Sequence, residues 1–226
     1  MSAQARPSPP AVPGEFPRKP RLRGWLHTGM TPVAVVAGIV LIAMARPGSE
    51  RVAAAVFAAS SVLLFGCSAV YHRGTWRPRT LAILRRLDHA NIFILIAGTY
   101  TPLAVALLPP ARAAILLGIV WAGAGVGIVL RLVWLSAPRW LYVPLYIALG
   151  WVAVGYLPTF WGLGHHGVTW LVAAGGAAYT LGAIVYGTRW PNPRPRTFGF
   201  HEIFHAATLV GFACHYGAAV LALRGG

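Results

Sequence analysis

The sequence predicts an all-α, polytopic membrane protein with seven transmembrane helices. Of its 226 residues, 57% are hydrophobic and only 10% are charged, whereas about a quarter of the residues in a typical soluble domain are charged. The apolar residues gather in seven runs, each long enough to cross a hydrocarbon core about 30 Å thick as a helix of roughly 20 residues. The basic residues lie between these runs or at their ends.

The apolar runs cover, in chain order, residues 25–45, 52–72, 87–108, 113–133, 140–160, 167–188 and 201–223. Each run is predicted to be a helix, because lipid offers no partner to backbone polar groups and a helix satisfies them within its own segment. Short loops leave no room for a second domain. Residues 25–226 are therefore predicted to form one seven-helix transmembrane domain.

The first 24 residues, MSAQARPSPPAVPGEFPRKPRLRG, are rich in proline and arginine. They lack the apolar stretch and cleavage site of a secretory signal, so the first apolar run is expected to be an uncleaved anchor. Residues 1–24 are predicted to form a disordered cytoplasmic tail.

The distribution of basic residues predicts the orientation. The tail and the loops after the second, fourth and sixth runs carry fifteen of the nineteen Lys and Arg residues. The positive-inside rule places these segments in the cytoplasm, with the C-terminus outside. The net charge of +15 is thus explained by topology and predicts no nucleic-acid partner. The strong excess of Arg over Lys suggests a GC-rich bacterial genome, so a bacterial plasma membrane is the expected location.

Few ionisable residues lie inside the runs, and each is a functional hypothesis because burying it in lipid is costly. His201 and His205 are four residues apart, which puts both rings on one helix face, about 6 Å apart. His72 ends the second run and Asp88 begins the third. In the predicted topology these helix ends meet at the cytoplasmic face, so the four side chains are expected to converge.

Three imidazoles with an open fourth position are typical of a catalytic Zn²⁺ site. His72, His201 and His205 are the predicted metal ligands, and Asp88 is the predicted base that activates a water molecule. Ser68 lies one turn deeper than His72, where its hydroxyl could bond a ligand imidazole or a developing oxyanion.

Each assignment has a simpler alternative. The three histidines could join helices through hydrogen bonds, Ser68 could bond back to its own helix, and Asp88 could pair with Arg85 or Arg86. His215 lies about 21 Å along the helix from His201 and is expected to be too far away to be a ligand.

Three further expectations concern single residues. His89 points about 100° away from its neighbour Asp88 and is predicted to be an interface histidine. His27 sits at a span end, where histidine is unremarkable. The proline-rich loop 191–200 cannot continue a helix, and Thr197 is expected to cap the last span.

Four stretches make the pattern specific: SAVYHRGTW at 68–76, RLDHANIFILIAGTYTPLA at 86–104, GGAAYTLGAIVYGTRWP at 175–191 and HEIFHAATLVGFACHYGA at 201–218. Together they resemble the hemolysin III branch of the progestin and adipoQ receptor family. The resemblance implies a seven-helix bundle with a cytoplasmic N-terminus and a zinc ion on the three histidines, and its serine and aspartate match Ser68 and Asp88. Animal relatives are associated with ceramidase-like amide hydrolysis and receptor signalling, and bacterial relatives with membrane lipid homeostasis and cytolysis.

The chain departs from this family at the start of span one. The family usually has an acidic residue, an asparagine and Thr-His-Gly there, whereas this chain reads GWLHTGMTP at 24–32. The acid and the asparagine are missing, and His and Thr are transposed. If those groups help to close the site, this departure affects activity.

Several functions compete. A zinc-dependent hydrolase of lipid amides, with membrane lipids as partners, is the first. HEIFH also satisfies H-E-x-x-H, which would make Glu202 the base of an intramembrane protease. A receptor or regulator with structural zinc would engage an unknown protein partner through the basic loop 73–86. Pore formation and metal transport are the last alternatives; a transporter should show polar residues at mid-depth.

Overall fold

A computed structural model describes residues 20–225 of the chain. The described part is helical apart from its loops and one isolated bridge between Arg194 and Phe198. The helices are α1 (Trp25–Met44), α2 (Ser49–Arg73), α3 (Pro78–Leu107), α4 (Pro110–Val133), α5 (Arg139–Trp151), a 3-10 turn (Val152–Tyr156), α6 (Leu157–Gly162), α7 (His166–Thr188) and α8 (Phe200–Leu223). The all-α prediction is confirmed.

Seven helical segments are long and apolar enough to cross a membrane, and they match the seven predicted runs. The largest difference in bounds is at α3, which begins at Pro78 rather than at residue 87. Pro78 suits the first helical turn, where its missing N–H costs nothing. Arg79, Arg85 and Arg86 lie just before the apolar run. Because arginine is a good helix former, the helix begins before the apolar stretch does.

Consecutive helices pack against each other from α1 to α4, and α7 packs on α8. Helix α8 also contacts α1 and α3, while α5 contacts α3, α4 and α7. We call the end of the bundle at which α1 begins the N-terminal face. Because the spans alternate in direction, α2 ends at this face, and α3 and α8 begin there.

The end of the predicted tail is docked against the bundle. The backbone N–H of Arg21 donates to the carbonyl of Arg196 at 3.1 Å, and that of Leu22 donates to the carbonyl of Thr197 at 3.2 Å. We call residues 20–24 the N-terminal strap. The rest of the predicted disordered tail, residues 1–19, lies outside the described residues. The last five residues of the predicted tail therefore belong to the folded domain.

The strap crosses directly over a predicted metal ligand. Gly24 has a φ of +82°, and a Cβ atom there would lie only 2.6 Å from the Cβ of His72. Both the left-handed backbone and the close approach require glycine.

The prediction that Thr197 caps the last span is wrong. Helix α8 begins at Phe200 with Gly199 as its N-cap residue, and the Glu202 carboxylate accepts a hydrogen bond from the Gly199 N–H at 2.8 Å. A carboxylate in the first turn also favours the positive end of the helix dipole, so Glu202 supplies the cap.

Span five is not one continuous helix. The 3-10 turn Val152–Tyr156 interrupts it, and Pro158, in the first turn of α6, has no N–H to donate to the Val154 carbonyl. The Tyr100 hydroxyl, from α3, fills the break: it lies 3.0 Å from the carbonyl oxygen of Leu149 and 2.7 Å from that of Gly150, and accepts the Ala153 N–H at 2.7 Å. A side chain from another span thus satisfies backbone groups that the break leaves open.

Replacement of Tyr100 by phenylalanine should destabilise the protein by about 1–3 kcal/mol, because buried backbone groups would lose their partner. The measurement is the unfolding free energy of the purified protein in detergent. Tyr156→Phe is the matched control, since it removes a tyrosine hydroxyl from the half-buried end of the same 3-10 turn. Equal stability of the two variants would contradict this role of Tyr100.

Candidate metal centre

Three imidazoles meet at the N-terminal face, as the sequence predicts. His72 comes from the last turn of α2, and His201 and His205 come from the first turns of α8. Nε2 of His72 lies 3.2 Å from Nε2 of His201. One ring nitrogen from each of the three lies within 4.8 Å of the others. His72 and His205 are buried, so the cluster is largely shielded from solvent.

These distances fit a metal ion. With zinc–nitrogen bonds of about 2.0–2.1 Å, two imidazole nitrogens on a tetrahedral ion are roughly 3.3 Å apart. The His72–His201 pair already has this separation, and the wider distances within the cluster require shifts that side-chain rotation can provide. The three histidines can therefore hold a metal ion, and imidazole ligands suit zinc among several transition metals.

Asp88 lies beside the cluster. Its Oδ2 atom is 3.8 Å from Nε2 of His72 and 3.9 Å from Nδ1 of His89. Among residues 20–225, the basic side-chain nitrogens within 4.0 Å of this carboxylate belong to these two histidines and not to Arg85 or Arg86. The alternative of a simple interfacial ion pair with an arginine is therefore not what the structure shows.

Ser68 lies one turn below His72, as predicted, and is buried. Its hydroxyl does not bond back to its own helix. Ser68, Asp88, His201 and His205 all line the same cavity. The predicted site residues are thus brought together, with His72 closing the cluster from α2.

The interpretation of His27 as unremarkable is wrong. Its ring stacks face to face on His205, with 3.8 Å between ring centroids and 6° between planes. It is 3% exposed, and neither of its ring nitrogens has a hydrogen-bond partner among residues 20–225. Although span one departs from the family pattern, it therefore still places the His27 ring against His205, a candidate metal ligand.

His89 was predicted to be an interface histidine, and it is buried between helices. Nδ1 lies 2.7 Å from the Arg85 carbonyl oxygen, and Nε2 lies 3.3 Å from the Tyr186 hydroxyl. A carbonyl only accepts, so Nδ1 carries the hydrogen and Nε2 accepts from Tyr186. The Tyr142 hydroxyl extends this chain, 3.4 Å from that of Tyr186. This network fixes the wall of the cavity next to Asp88.

Glu202 is fully engaged in structural contacts. Nε of Arg23, in the N-terminal strap, donates to Oε1 of the carboxylate, and the Gly199 N–H donates to Oε2. Glu202 is 1% exposed, so Arg23 supplies the charge that balances a buried carboxylate. This engagement disfavours the protease interpretation, in which Glu202 is a free general base.

A cavity of about 510 Å³ runs from the metal centre into the bundle. Its walls are mostly aliphatic and aromatic side chains from α3, α5, α7 and α8, such as Ile96, Leu103, Ile147 and Val172. Three lining residues, Trp151, Val154 and Leu181, are also exposed on the outer surface of the bundle. The cavity therefore reaches the lipid-facing side between span five and α7.

Comparison with known proteins adds independent information. Residues 17–216 match the haemolysin-III related family. The chain is 32% identical over 181 residues to the hemolysin-3 homolog of Bacillus subtilis (strain 168), covering 78% of this chain and 81% of that protein. It is 33% identical over 151 residues to hemolysin-3 of Bacillus cereus, covering 66% and 68%.

A plant protein is also similar. The heptahelical transmembrane protein ADIPOR2 of Oryza sativa subsp. japonica is 32% identical over 177 residues, covering 71% of this chain and 77% of that protein. The family match, the two bacterial relatives and the plant relative confirm the resemblance drawn from the four sequence stretches.

The ion pair between Arg23 and Glu202 gives a testable prediction. Arg23→Ala should lower the unfolding free energy by about 3 kcal/mol, because it leaves a buried carboxylate uncompensated. Adding Glu202→Gln to Arg23→Ala should restore part of this loss, since the neutral amide can still accept from Gly199. Arg21→Ala, which removes an exposed arginine of the same strap, is the control for unfolding in detergent. A double variant less stable than Arg23→Ala alone would contradict the pairing.

Proposed function

The chain belongs to the haemolysin-III related family, and from this premise we propose that it is a zinc-dependent hydrolase of an amide bond in a membrane lipid. One observation carries the proposal: three imidazoles and a neighbouring carboxylate lie at the end of a large apolar cavity inside a membrane bundle. The histidines supply the ligands, the carboxylate supplies a base, and the cavity supplies room for a hydrocarbon chain.

The residues of the site divide the chemistry between them. A zinc ion on His72, His201 and His205 would act as a Lewis acid towards the scissile carbonyl. Asp88 takes a proton from the attacking water as its oxygen bonds to the carbonyl carbon. Asp88 then gives the proton to the leaving nitrogen as the C–N bond breaks, which yields a carboxylic acid and an amine. The Ser68 hydroxyl would donate a hydrogen bond to the carbonyl oxygen as its charge develops.

The shape of the cavity favours a lipid substrate. The apolar walls bury a hydrocarbon chain at little cost, because they replace lipid with similar surroundings. The lateral opening near Trp151 and Leu181 lets a chain enter from the bilayer without crossing water. The head group is then left next to Asp88 at the N-terminal face.

A second candidate, a membrane regulator with structural zinc, is favoured by the same carboxylate. Asp88 lies only 3.8 Å from His72, close enough to become a fourth protein ligand after a small movement. Four protein ligands close a tetrahedral site, which is typical of structural zinc. The two candidates therefore differ in what Asp88 does.

We further propose that the N-terminal face lies in the cytoplasm and that the chain resides in a bacterial plasma membrane. Fifteen of the nineteen Lys and Arg residues belong to segments that end at this face, which the positive-inside rule places in the cytoplasm. The metal centre would then be reached from the cytoplasm and its cavity from the bilayer.

The metal itself is tested by elemental mass spectrometry of the protein purified in detergent. The wild type should contain about one zinc ion per chain, and His201→Ala should lose it, since two remaining histidines bind zinc weakly. His165→Ala is the matched control, because it removes a histidine just before α7, at the opposite end of the bundle. Wild-type protein without zinc would overturn the metal centre.

The role of Asp88 is tested with Asp88→Asn, compared with Glu50→Gln at the far end of the bundle. If Asp88 is the base, the variant should keep its zinc while hydrolysis of a fluorescent N-acyl lipid falls by about 100-fold or more. If Asp88 closes a structural site, zinc should be lost instead. A wild type that binds zinc but cleaves none of a panel of lipid amides would favour the regulator.

A further inference from the structure

The cavity has a second polar region, far from the metal centre. Tyr179 of α7 and His215 of α8 both line it, and their rings are 5.3 Å apart between centroids. We call these two residues the deep polar pair. His215 lies ten residues beyond His205 on α8, which is about 15 Å along the helix axis. An otherwise apolar cavity therefore has polar groups at both ends.

The backbone makes room for this pair. A Cβ atom on Gly175 of α7 would lie 2.8 Å from the His215 ring, and one on Gly211 of α8 would lie 2.7 Å from the Tyr179 ring. Each polar ring thus rests on a glycine of the opposite helix. Small residues let membrane helices approach closely, and here the space gained is occupied by the two polar side chains.

The hydrogen-bonding capacity of the pair is only partly used. Nε2 of His215 lies 3.3 Å from the Val172 carbonyl oxygen and so donates to it. Nδ1 of His215 and the Tyr179 hydroxyl are buried and have no hydrogen-bond partner among residues 20–225. Buried polar atoms left without a partner are costly and rare, which indicates that something else completes these bonds.

The two open atoms define the chemistry of their partner. With its hydrogen on Nε2, the neutral His215 ring presents Nδ1 as an acceptor, and the Tyr179 hydroxyl can donate or accept. A hydroxyl group satisfies both at once, because it donates to Nδ1 and accepts from Tyr179. A carboxylate, a ketone or an ester cannot donate. An ion is disfavoured, because the deep polar pair offers no charge to balance it.

We propose that the deep polar pair binds a hydroxyl group carried along the hydrocarbon chain of an amphiphile that occupies the cavity. The apolar walls hold the chain, and its head group lies towards the metal centre. The hydroxyl of such a chain would otherwise be buried without a partner, so the pair selects hydroxylated chains over plain ones. This selection goes beyond the proposed hydrolysis and does not require the metal.

The test uses two probes that differ only in this group, 12-hydroxyoctadecanoic acid and octadecanoic acid. They compete for the full-length protein in lipid nanodiscs, and the bound ratio is read by mass spectrometry. Tyr179→Phe removes the hydroxyl group of the deep polar pair. Tyr216→Phe is the matched control. The Tyr216 hydroxyl donates to the Ala37 carbonyl of α1, and Tyr216 is not among the residues that line the cavity. The bound ratio of each variant is divided by that of the wild type, which cancels the different partitioning of the two acids into the membrane.

Relative to Tyr179→Phe, the wild type and Tyr216→Phe should favour the hydroxylated acid about tenfold more, as expected for one or two hydrogen bonds. Tyr179→Phe should still bind octadecanoic acid as well as the wild type does. If Tyr179→Phe does not fold, His215→Phe gives the same test. A bound ratio in Tyr179→Phe equal to that of the wild type would overturn the proposal, since buried water would then satisfy the pair.

A chelator arm separates this inference from the proposed function. Protein stripped of metal should keep its preference for the hydroxylated acid, because the deep polar pair is about 15 Å from His205. Metal-loaded wild type that shows this preference but hydrolyses no lipid amide would support the deep polar pair while counting against the hydrolase. A preference that disappears on metal removal would place the hydroxyl at the metal centre and overturn the proposal.

Discussion

Lipid offers no hydrogen-bond partner, so each polar group of this bundle must be satisfied by the protein, by water at a membrane surface or by a bound ligand. The buried carboxylate of Glu202 meets this requirement through Arg23 and the Gly199 N–H. The break in span five meets it through the Tyr100 hydroxyl. Among residues 20–225, the groups whose bonding is not completed by protein include the His27 ring, beside the candidate metal centre, the Ser68 hydroxyl and the deep polar pair.

The metal centre depends on elements that are distant in sequence. Its candidate ligands come from the end of α2 and the start of α8, and Asp88 comes from α3. The N-terminal strap crosses His72 at Gly24 and is tied to α8 by Arg23. One short segment thus bridges both helices that carry ligands, so the position of the strap and the geometry of the cluster are coupled. Residues before span one thus contribute to the site without supplying a candidate ligand.

The polarity of the cavity wall changes along its length. Its end at the N-terminal face carries histidines, a carboxylate and a serine, the wall between is mostly apolar, and its inner end carries the deep polar pair. A long amphiphile fits such a gradient in one orientation only, because reversing it would place hydrocarbon against the polar cluster. The same pattern argues against a water-filled pore, whose walls would need polar groups along their whole length.

The sequence alone determined the seven spans and the histidine cluster. Hydropathy over twenty residues is a local property, and the four-residue spacing of His201 and His205 fixes their common face whatever the rest of the chain does. Span alternation then brought His72 and Asp88 to the same face. Only the tertiary structure placed His27 on His205, paired Arg23 with Glu202, brought the Tyr100 hydroxyl into the break of span five and placed Tyr179 and His215 on the wall of one cavity. These contacts join helices far apart in the chain, and their geometry depends on helix rotation and tilt, which packing against neighbours sets and local sequence does not.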